Sequence, residues 1–250
     1  MKNSSYFSST RIASIALFAA LSGVLYVFGF PIAAAFPSFL ELNFSDIPAL
    51  IGTFAMGPGS GAIIVVVKIF IKLAIKGTGT AFVGEAADLL IGLAFVVPAG
   101  LIYRKRRTFR GALLAMAVGT ACSVAVAVLA NWLILVPFYV EFFYGGSWDP
   151  LIGMMTPLFP SCTKESFYNF YLWVSVLPFN LLRCLVAVCV TLPVYKRISR
   201  ALDRLSEKLD PPAGEEAPQN RRRTAIVLAA CACAVLVLTV LVLLRYFVWK

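Results

Sequence analysis

Long apolar runs alternate with short polar stretches along the whole chain. Residues 12–40 carry no charged side chain, so 11–30 is predicted as a first span, because about 20 apolar residues cross a bilayer as a helix. The pattern predicts an all-α, polytopic membrane protein. Five further segments follow before residue 200, at 46–57, 61–75, 84–104, 111–139 and 170–195. A seventh run, 224–244, has no charge over 21 residues and predicts an additional C-terminal transmembrane helix.

The second segment is unusually short. Asp46 suits the N-cap of a helix and Pro48 its first turn, while the glycine-rich stretch 57–61 is typical of a turn. About ten residues at roughly 1.5 Å each give about 15 Å, which is too little to cross a bilayer. Two explanations stay open: the preceding loop also enters the membrane, or the helix begins earlier.

Composition and charge fit a membrane protein. The chain is 60% hydrophobic and only 14% charged, whereas soluble domains carry about 25% charged residues. A net charge of +10 would suit nucleic acid in a soluble protein, but here the basic residues cluster at 2 and 11, at 104–110 and at 196–223. Six crossings put all three clusters on the cytoplasmic side. The prediction is a multi-pass plasma-membrane protein with a cytoplasmic N-terminus, embedded in lipid, without nucleic acid.

Ionisable side chains within these apolar segments are the first candidates for function. Lys68, Lys72 and Lys76 repeat every four residues and share one helix face. Snorkelling to the interface explains Lys76 and fits Lys72, but Lys68 lies too deep, which favours an interior or functional role. Glu85 and Asp88 share a face of the next segment, where capping of a helix start is the alternative.

Polar residues also occur deep in the fifth and sixth segments. Asn131 is typical of a hydrogen bond to a neighbouring helix, with ligand binding as the alternative. Asn180 and Arg183 lie three residues apart on one face. An unpaired arginine at that depth is costly, so pairing with Glu85 or Asp88 is the structural explanation to weigh against a ligand role. With the predicted topology, these side chains converge on an outward-facing pocket.

Enzyme chemistry finds little support. The chain has no histidine, and its six cysteines show no metal-binding spacing. No nucleophile is paired with a base and no nucleotide-binding motif occurs. We therefore expect no catalytic residues, no metal and no cofactor. In the first segment, Ala16 and Ala20 stand four apart, as do Ala19 and Gly23; such pairs permit close helix packing, either within the chain or against a partner.

Four stretches in order carry a family resemblance: LELNFSDIPALIGTFAMGPGSG, VGEAADLLIGLAFVVPAGLIYRK, ANWLILVPFY and LPFNLLRCLV. Together they resemble the riboflavin-binding substrate-binding (S) subunit of energy-coupling factor (ECF) transporters, over about residues 11–200. The resemblance implies a six-helix S-component bundle, not an enzyme, that captures riboflavin or a related flavin outside the cell. It also implies docking on one ECF transmembrane subunit and two ATPase subunits.

The resemblance implies roles for particular residues. Ala16 and Ala20 match the small residues that contact the transmembrane partner. The first outer loop and the asparagines of helices five and six match flavin contacts. With the candidates above, the predicted ligand-binding set is Glu41, Asn43, Phe44, Asp46, Lys68, Lys72, Glu85, Asp88, Asn131, Asn180 and Arg183, with Phe39 and Trp132 as further apolar or stacking surface. The sequence departs from the family pattern at Arg183 (usually Lys), Ile69 (often Asn), Lys72 (often His) and Asp88 (often Asn).

Three domains follow from this reasoning: a vitamin-binding membrane domain at 1–200, a cytoplasmic polar linker at 201–223 and the extra helix at 224–250. Another vitamin or small metabolite as ligand is the main alternative. A membrane enzyme using Glu85, Asp88 and Lys68 as acid–base groups, and a stand-alone channel or scaffold, are less favoured.

Overall fold

The structure is a computed structural model that describes residues 9–209, with the side chains of 10–202 and 204. The predicted seventh helix and most of the predicted linker lie outside the described residues. The helices in chain order are α1 Ser9–Val27, α2 Asp46–Met56, α3 Pro58–Lys76, α4 Val83–Lys105, α5 Phe109–Ala130, α6 Val136–Phe138, α7 Asp149–Met155 and α8 Leu177–Leu209. π-Helical stretches lie at Asn131–Leu135, Tyr139–Phe143 and Asn169–Val176.

Membrane-length helices dominate the described part of the chain. Five continuous helical lengths are long and apolar enough to cross a bilayer, at Thr10–Val27, Pro58–Lys76, Val83–Lys105, Phe109–Phe143 and Asn169–Leu202. Together with the shorter apolar helix α2, these correspond to the six segments predicted before residue 200. The predicted all-α, polytopic membrane fold is confirmed.

The short helix α2 lies in the middle of the bundle. It packs against α1, α3, α4 and α8 and buries Pro48, Leu50 and Phe54, among others. At about 1.5 Å per residue its 11 residues reach about 16 Å, so it does not span the bundle. The helix begins at Asp46, and Asn43 and Ser45 before it are also buried. The helix therefore does not begin earlier than predicted, and the loop before it folds into the bundle.

Two predicted helix ends were wrong. The fifth segment continues beyond residue 139 to Phe143, and the last begins at Asn169 and continues beyond residue 195 to Leu209. Pro137 lies near the predicted end of the fifth segment, and a proline inside a helix often ends or kinks it. A proline removes one i to i−4 hydrogen bond and crowds the carbonyl four residues earlier. For Pro137 and Pro178 those carbonyls fall inside π-helical stretches, whose wider turns let the helix continue.

Small residues of α1 divide between two environments. Ala19 and Gly23 face α3, and a Cβ atom built on Gly23 would lie 2.5 Å from Cγ2 of Ile71. Ala16 and Ala20 lie on the exposed face of the same helix. The two alternatives from the sequence therefore apply to different pairs, since one pair packs within the chain and the other stays uncovered by any described residue.

The bundle has one basic end and one loop end. At the basic end, Arg11 donates to Oγ of Ser60 at 3.0 Å, and Nζ of Lys196 lies 6.0 Å from the ring centre of Phe109. At the other end, the loop 28–45 crosses the bundle and is held by antiparallel pairing of β1 (Phe30–Pro31) with β2 (Glu41–Leu42). The predicted gathering of basic clusters at one end is confirmed for the described residues.

Candidate ligand-binding site

A buried carboxylate at the start of α2 joins three helices. Oδ1 of Asp46 accepts from Nζ of Lys68 at 2.5 Å, and Oδ2 accepts from Nε of Arg183 at 2.8 Å. Asp46, Lys68 and Arg183 are 3%, 1% and 6% exposed. Lys68 thus has the interior position that its depth predicted. Burying such charges is tolerable only because each has a partner, since an unpaired ion in a low-dielectric interior costs several kcal/mol.

Asp88 extends this network towards the surface of the bundle. Its Oδ1 accepts from Nη1 of Arg183 at 3.3 Å, and its Oδ2 accepts from the hydroxyl of Tyr26. The carboxylate is 30% exposed, unlike that of Asp46. Pairing of Arg183 with Asp88, weighed as the structural explanation, is therefore present, but Glu85 is not its partner. Sequence reasoning missed both Asp46 as the second partner and Tyr26.

The lysines of α3 form a ladder of ion pairs. Lys68 pairs with Asp46, Lys72 with Glu85 and Lys76 with Glu41. The exposure of the three lysine side chains rises from 1% to 16% to 46% along the helix. The four-residue repeat thus places one ion pair per turn from the interior to the rim. Four cations, including Arg183, face four carboxylates, so the network has no net charge.

Glu85 also fixes the connection between α3 and α4. Its Oε2 accepts from the hydroxyls of Thr78 at 3.0 Å and Thr80 at 2.7 Å. Oγ1 of Thr80 accepts in turn from the backbone N–H of Gly84. Glu85 therefore holds the 77–82 loop through these hydroxyls. It lies in the first turn of α4, but no side chain caps the helix at Phe82, so the capping alternative is not what the contacts show. The sequence indicated no role for the two threonines beyond their place in the Gly77–Thr80 loop.

The two predicted asparagines are buried, and each uses part of its hydrogen-bonding capacity. Nδ2 of Asn131 donates to the Ala127 carbonyl at 2.8 Å, and its Oδ1 accepts from the Tyr171 hydroxyl at 2.5 Å. Nδ2 of Asn180 donates to the Val176 carbonyl at 2.9 Å. An amide has two N–H donors and a carbonyl that accepts twice. In the described part of the chain no donor reaches Oδ1 of Asn180.

The loop 28–45 covers this end of the bundle with aromatic rings. Phe36 meets Phe179 edge-on at 5.3 Å between ring centres, and Phe39 lies 5.8 Å from Tyr171. The helix rings lie beside the two asparagines, because Phe179 is next to Asn180 in the chain and the Tyr171 hydroxyl donates a hydrogen bond to Asn131. The loop rings therefore pack beside both amides.

Other predicted residues of the loop have structural partners. Oδ1 of Asn43 accepts from N–H and Oγ of Ser45, and Oγ of Ser45 accepts from Lys68 at 2.9 Å. The ring centres of Phe44 and Phe30 lie 6.2 Å apart, and Glu41 is at the exposed rim. Trp132 remains 48% exposed, so its ring lies away from the buried Asn131.

The arrangement is suited to holding a molecule rather than to converting one. Every charged group of the network is engaged with an opposite charge, and no nucleophile lies beside a base among these residues. Within residues 9–209, no cluster of three His, Cys, Asp or Glu side chains could hold a metal ion. What the site offers is amide and guanidinium donors, a free carbonyl and aromatic surface under a loop.

The covered polar end of this helical bundle fits the class of membrane components that bind a substrate. Residues 10–195 match the family model for the ECF transporter, substrate-specific component, and the chain belongs to that family. The resemblance drawn from the four sequence stretches is thereby confirmed.

Individual relatives agree with the family. The chain is 27% identical over 195 residues to the riboflavin transporter RibU of Staphylococcus aureus, covering 78% of this chain and 93% of the relative. It is 23% identical over 181 residues to the riboflavin transporter FmnP of Bacillus subtilis, covering 72% and 87%. A solved structure described as the S component of a bacterial ECF transporter matches with a TM-score of 0.59 and 27% identity, covering 78% of this chain and 98% of the other.

Proposed function

We propose that this protein captures riboflavin under the 28–45 loop and delivers it through an ATP-driven module of one ECF transmembrane subunit and two ATPase subunits. Family membership supports the transport role, and two similar relatives carry the name riboflavin transporter. The site geometry adds an argument of its own about the ligand.

Charge balance is the observation that carries the proposal. Asp46, Asp88, Glu85 and Glu41 are matched by Lys68, Lys72, Lys76 and Arg183 in five ion pairs. A ligand with a phosphate or carboxylate would bring a charge without a counter-ion, and burying it costs several kcal/mol. The network therefore favours a neutral ligand, and riboflavin is a neutral flavin.

The chemistry of a flavin fits the polar and aromatic groups. Its pyrimidine edge alternates carbonyl and N–H groups, and Asn180 offers an unused N–H beside an unused carbonyl on one amide. Arg183 donates hydrogen bonds from Nε and Nη1 to the carboxylates of Asp46 and Asp88, and its guanidinium has further N–H donors. Phe36, Phe39 and Tyr171 provide aromatic surface for the dimethylbenzene edge.

Sidedness and docking follow from the two ends of the bundle. The basic end, with Arg107, Lys196 and Arg200 around one small depression, is assigned to the cytoplasm by the positive-inside rule. The loop end then faces outward, where a vitamin is met. The exposed face of α1 with Ala16 and Ala20 lets a helix of the transmembrane subunit approach closely.

The test is flavin binding by the purified full-length protein. Riboflavin fluorescence should be quenched on titration, and phosphorylated riboflavin should bind at least tenfold more weakly because its charge has no partner. Asn180→Ala should weaken binding by about 1–3 kcal/mol through loss of paired hydrogen bonds, whereas Asn169→Ala, at an exposed asparagine, should not.

Absence of quenching, with no flavin found by mass spectrometry of the co-purified small molecules, would overturn riboflavin as the ligand. The same mass spectrum would then identify the other vitamin or metabolite. Equal affinity for the phosphorylated and unphosphorylated flavin would contradict the charge argument alone.

A further inference from the structure

An apolar groove runs along the outside of the bundle between α5 and α8. It encloses about 830 Å³ and is lined on one side by Ala117, Ala121 and Ala125 and on the other by Trp173, Leu181 and Leu185. All six side chains are exposed among the described residues. Asn180 and Arg183 lie on the opposite, buried face of α8, so the groove is separate from the ligand site.

The two walls of the groove differ in a way that suits a helix. The three alanines recur every four residues on α5 and form a shallow strip, while the leucines of α8 form a high wall. Within a bilayer, apolar surface alone does not drive association, because lipid chains are equally apolar. Small residues at four-residue spacing do favour it, since they let two backbones come close.

We propose that the C-terminal segment 224–244 of this same chain occupies the groove, parallel to α5. The segment is uncharged over a membrane-spanning length, and its first half is rich in small residues. Ala117 and Ala121 stand seven and eleven residues after Arg110, and Ala230 and Ala234 stand seven and eleven residues after Arg223. Two small pairs therefore reach the same depth from the basic end.

The connecting chain is long enough for segment 224–244 to reach the groove. Lys196 lies beside Phe109, so α8 passes the start of α5 at that level and then continues for 13 residues to Leu209. That continuation is about 20 Å long at 1.5 Å per residue. The 14 residues 210–223 reach up to about 46 Å when extended at 3.3 Å each. Segment 224–244 can therefore begin at the basic end of the groove.

Cross-linking in native membranes tests the proposal. In full-length protein with its six cysteines replaced, Ala121→Cys and Ala234→Cys are combined with a protease site inserted between residues 211 and 219. After mild oxidation and proteolysis, the two fragments should stay joined until a reductant is added. A matched control pairs Ala234→Cys with Leu17→Cys, an exposed position six residues after Arg11 on α1, and should give no joined product.

Two further variants locate the contact in the groove itself. Ala117→Trp fills the alanine strip and should abolish the cross-link, whereas Leu114→Trp, exposed on α5 but outside the groove, should leave it unchanged. The proposal is overturned if no cross-link forms, if the α1 control links equally well, or if Ala117→Trp has no effect. A product of twice the mass would overturn it too, because the occupant would then be a second copy.

Discussion

Arg183 on α8 donates from Nε to Oδ2 of Asp46 on α2 across 2.8 Å, and the two residues are 137 positions apart in the chain. The contact ties the last helix of the bundle to its central short helix. It also makes one carboxylate the shared partner of two buried cations, because Lys68 bonds the other oxygen of the same group.

Neutralising this carboxylate should damage the fold. In Asp46→Asn, Lys68 loses its ion-pair partner and Arg183 keeps only Asp88, so we expect a loss of about 3 kcal/mol in the free energy of unfolding. Denaturation in mixed detergent micelles measures it. Glu41→Gln breaks the exposed pair with Lys76 and should cost less than about 1 kcal/mol. Equal losses in the two variants would contradict the buried role of Asp46.

The hydrogen bond between Tyr171 and Asn131 should matter for both stability and binding. Tyr171→Phe removes the only described donor to Oδ1 of Asn131 and leaves a buried acceptor unpaired, which costs about 1–3 kcal/mol. We expect a lower thermal midpoint and a weaker riboflavin affinity by fluorescence titration. Tyr144→Phe, in the loop that follows the Tyr139–Phe143 stretch, serves as control, and a similar effect there would refute the assignment.

Thr80 should control the mobility of the loop between α3 and α4. Thr80→Val removes one hydroxyl from Glu85 and one acceptor from the Gly84 N–H. Limited proteolysis from the loop side should then cut within 77–82 faster than in the parent protein. Thr156→Val, whose hydroxyl bonds only within its own helical turn, should not change that rate. Unchanged cleavage in Thr80→Val would show that Lys72 and Thr78 suffice to hold Glu85.

The two pairs of small residues on α1 should respond in opposite ways. Ala16→Trp with Ala20→Trp lies on the exposed face and should abolish co-purification of the transmembrane and ATPase subunits without lowering stability. Gly23→Ala places a methyl 2.5 Å from Ile71 and should cost about 1–3 kcal/mol of stability. Survival of the complex in the double tryptophan variant would remove this face as the docking surface.

Sequence reasoning was most successful where the spacing along one helix determines the outcome. The lysines of α3 share a face because they repeat every four residues, and each one forms an ion pair with a carboxylate at the same level of the bundle. The brevity of α2 was also visible, because Asp46 and the glycine-rich turn bound it on both sides.

Contacts between distant segments were the part that sequence could not provide. Nothing local to Asp46 indicates Arg183, since the encounter depends on how α8 packs on α2. Tyr171 was missed because its orientation depends on a π-helical stretch, which shifts the register of side chains relative to an α-helix. The fifth segment also ends later than predicted, because Pro137 lies inside a helix that continues to Phe143.

Because exposure rises along the lysine ladder, the outer and the buried ion pairs should respond differently to dissolved salt. Dissolved ions screen charges that face water, with a Debye length of about 8 Å at physiological ionic strength, but they hardly reach charges sealed among helices. The pair of Lys76 and Glu41 faces water, whereas the pair of Lys68 and Asp46 is buried among the helices. Higher ionic strength should therefore weaken the ion pair between Lys76 and Glu41 at the rim and leave the buried pair between Lys68 and Asp46 unchanged.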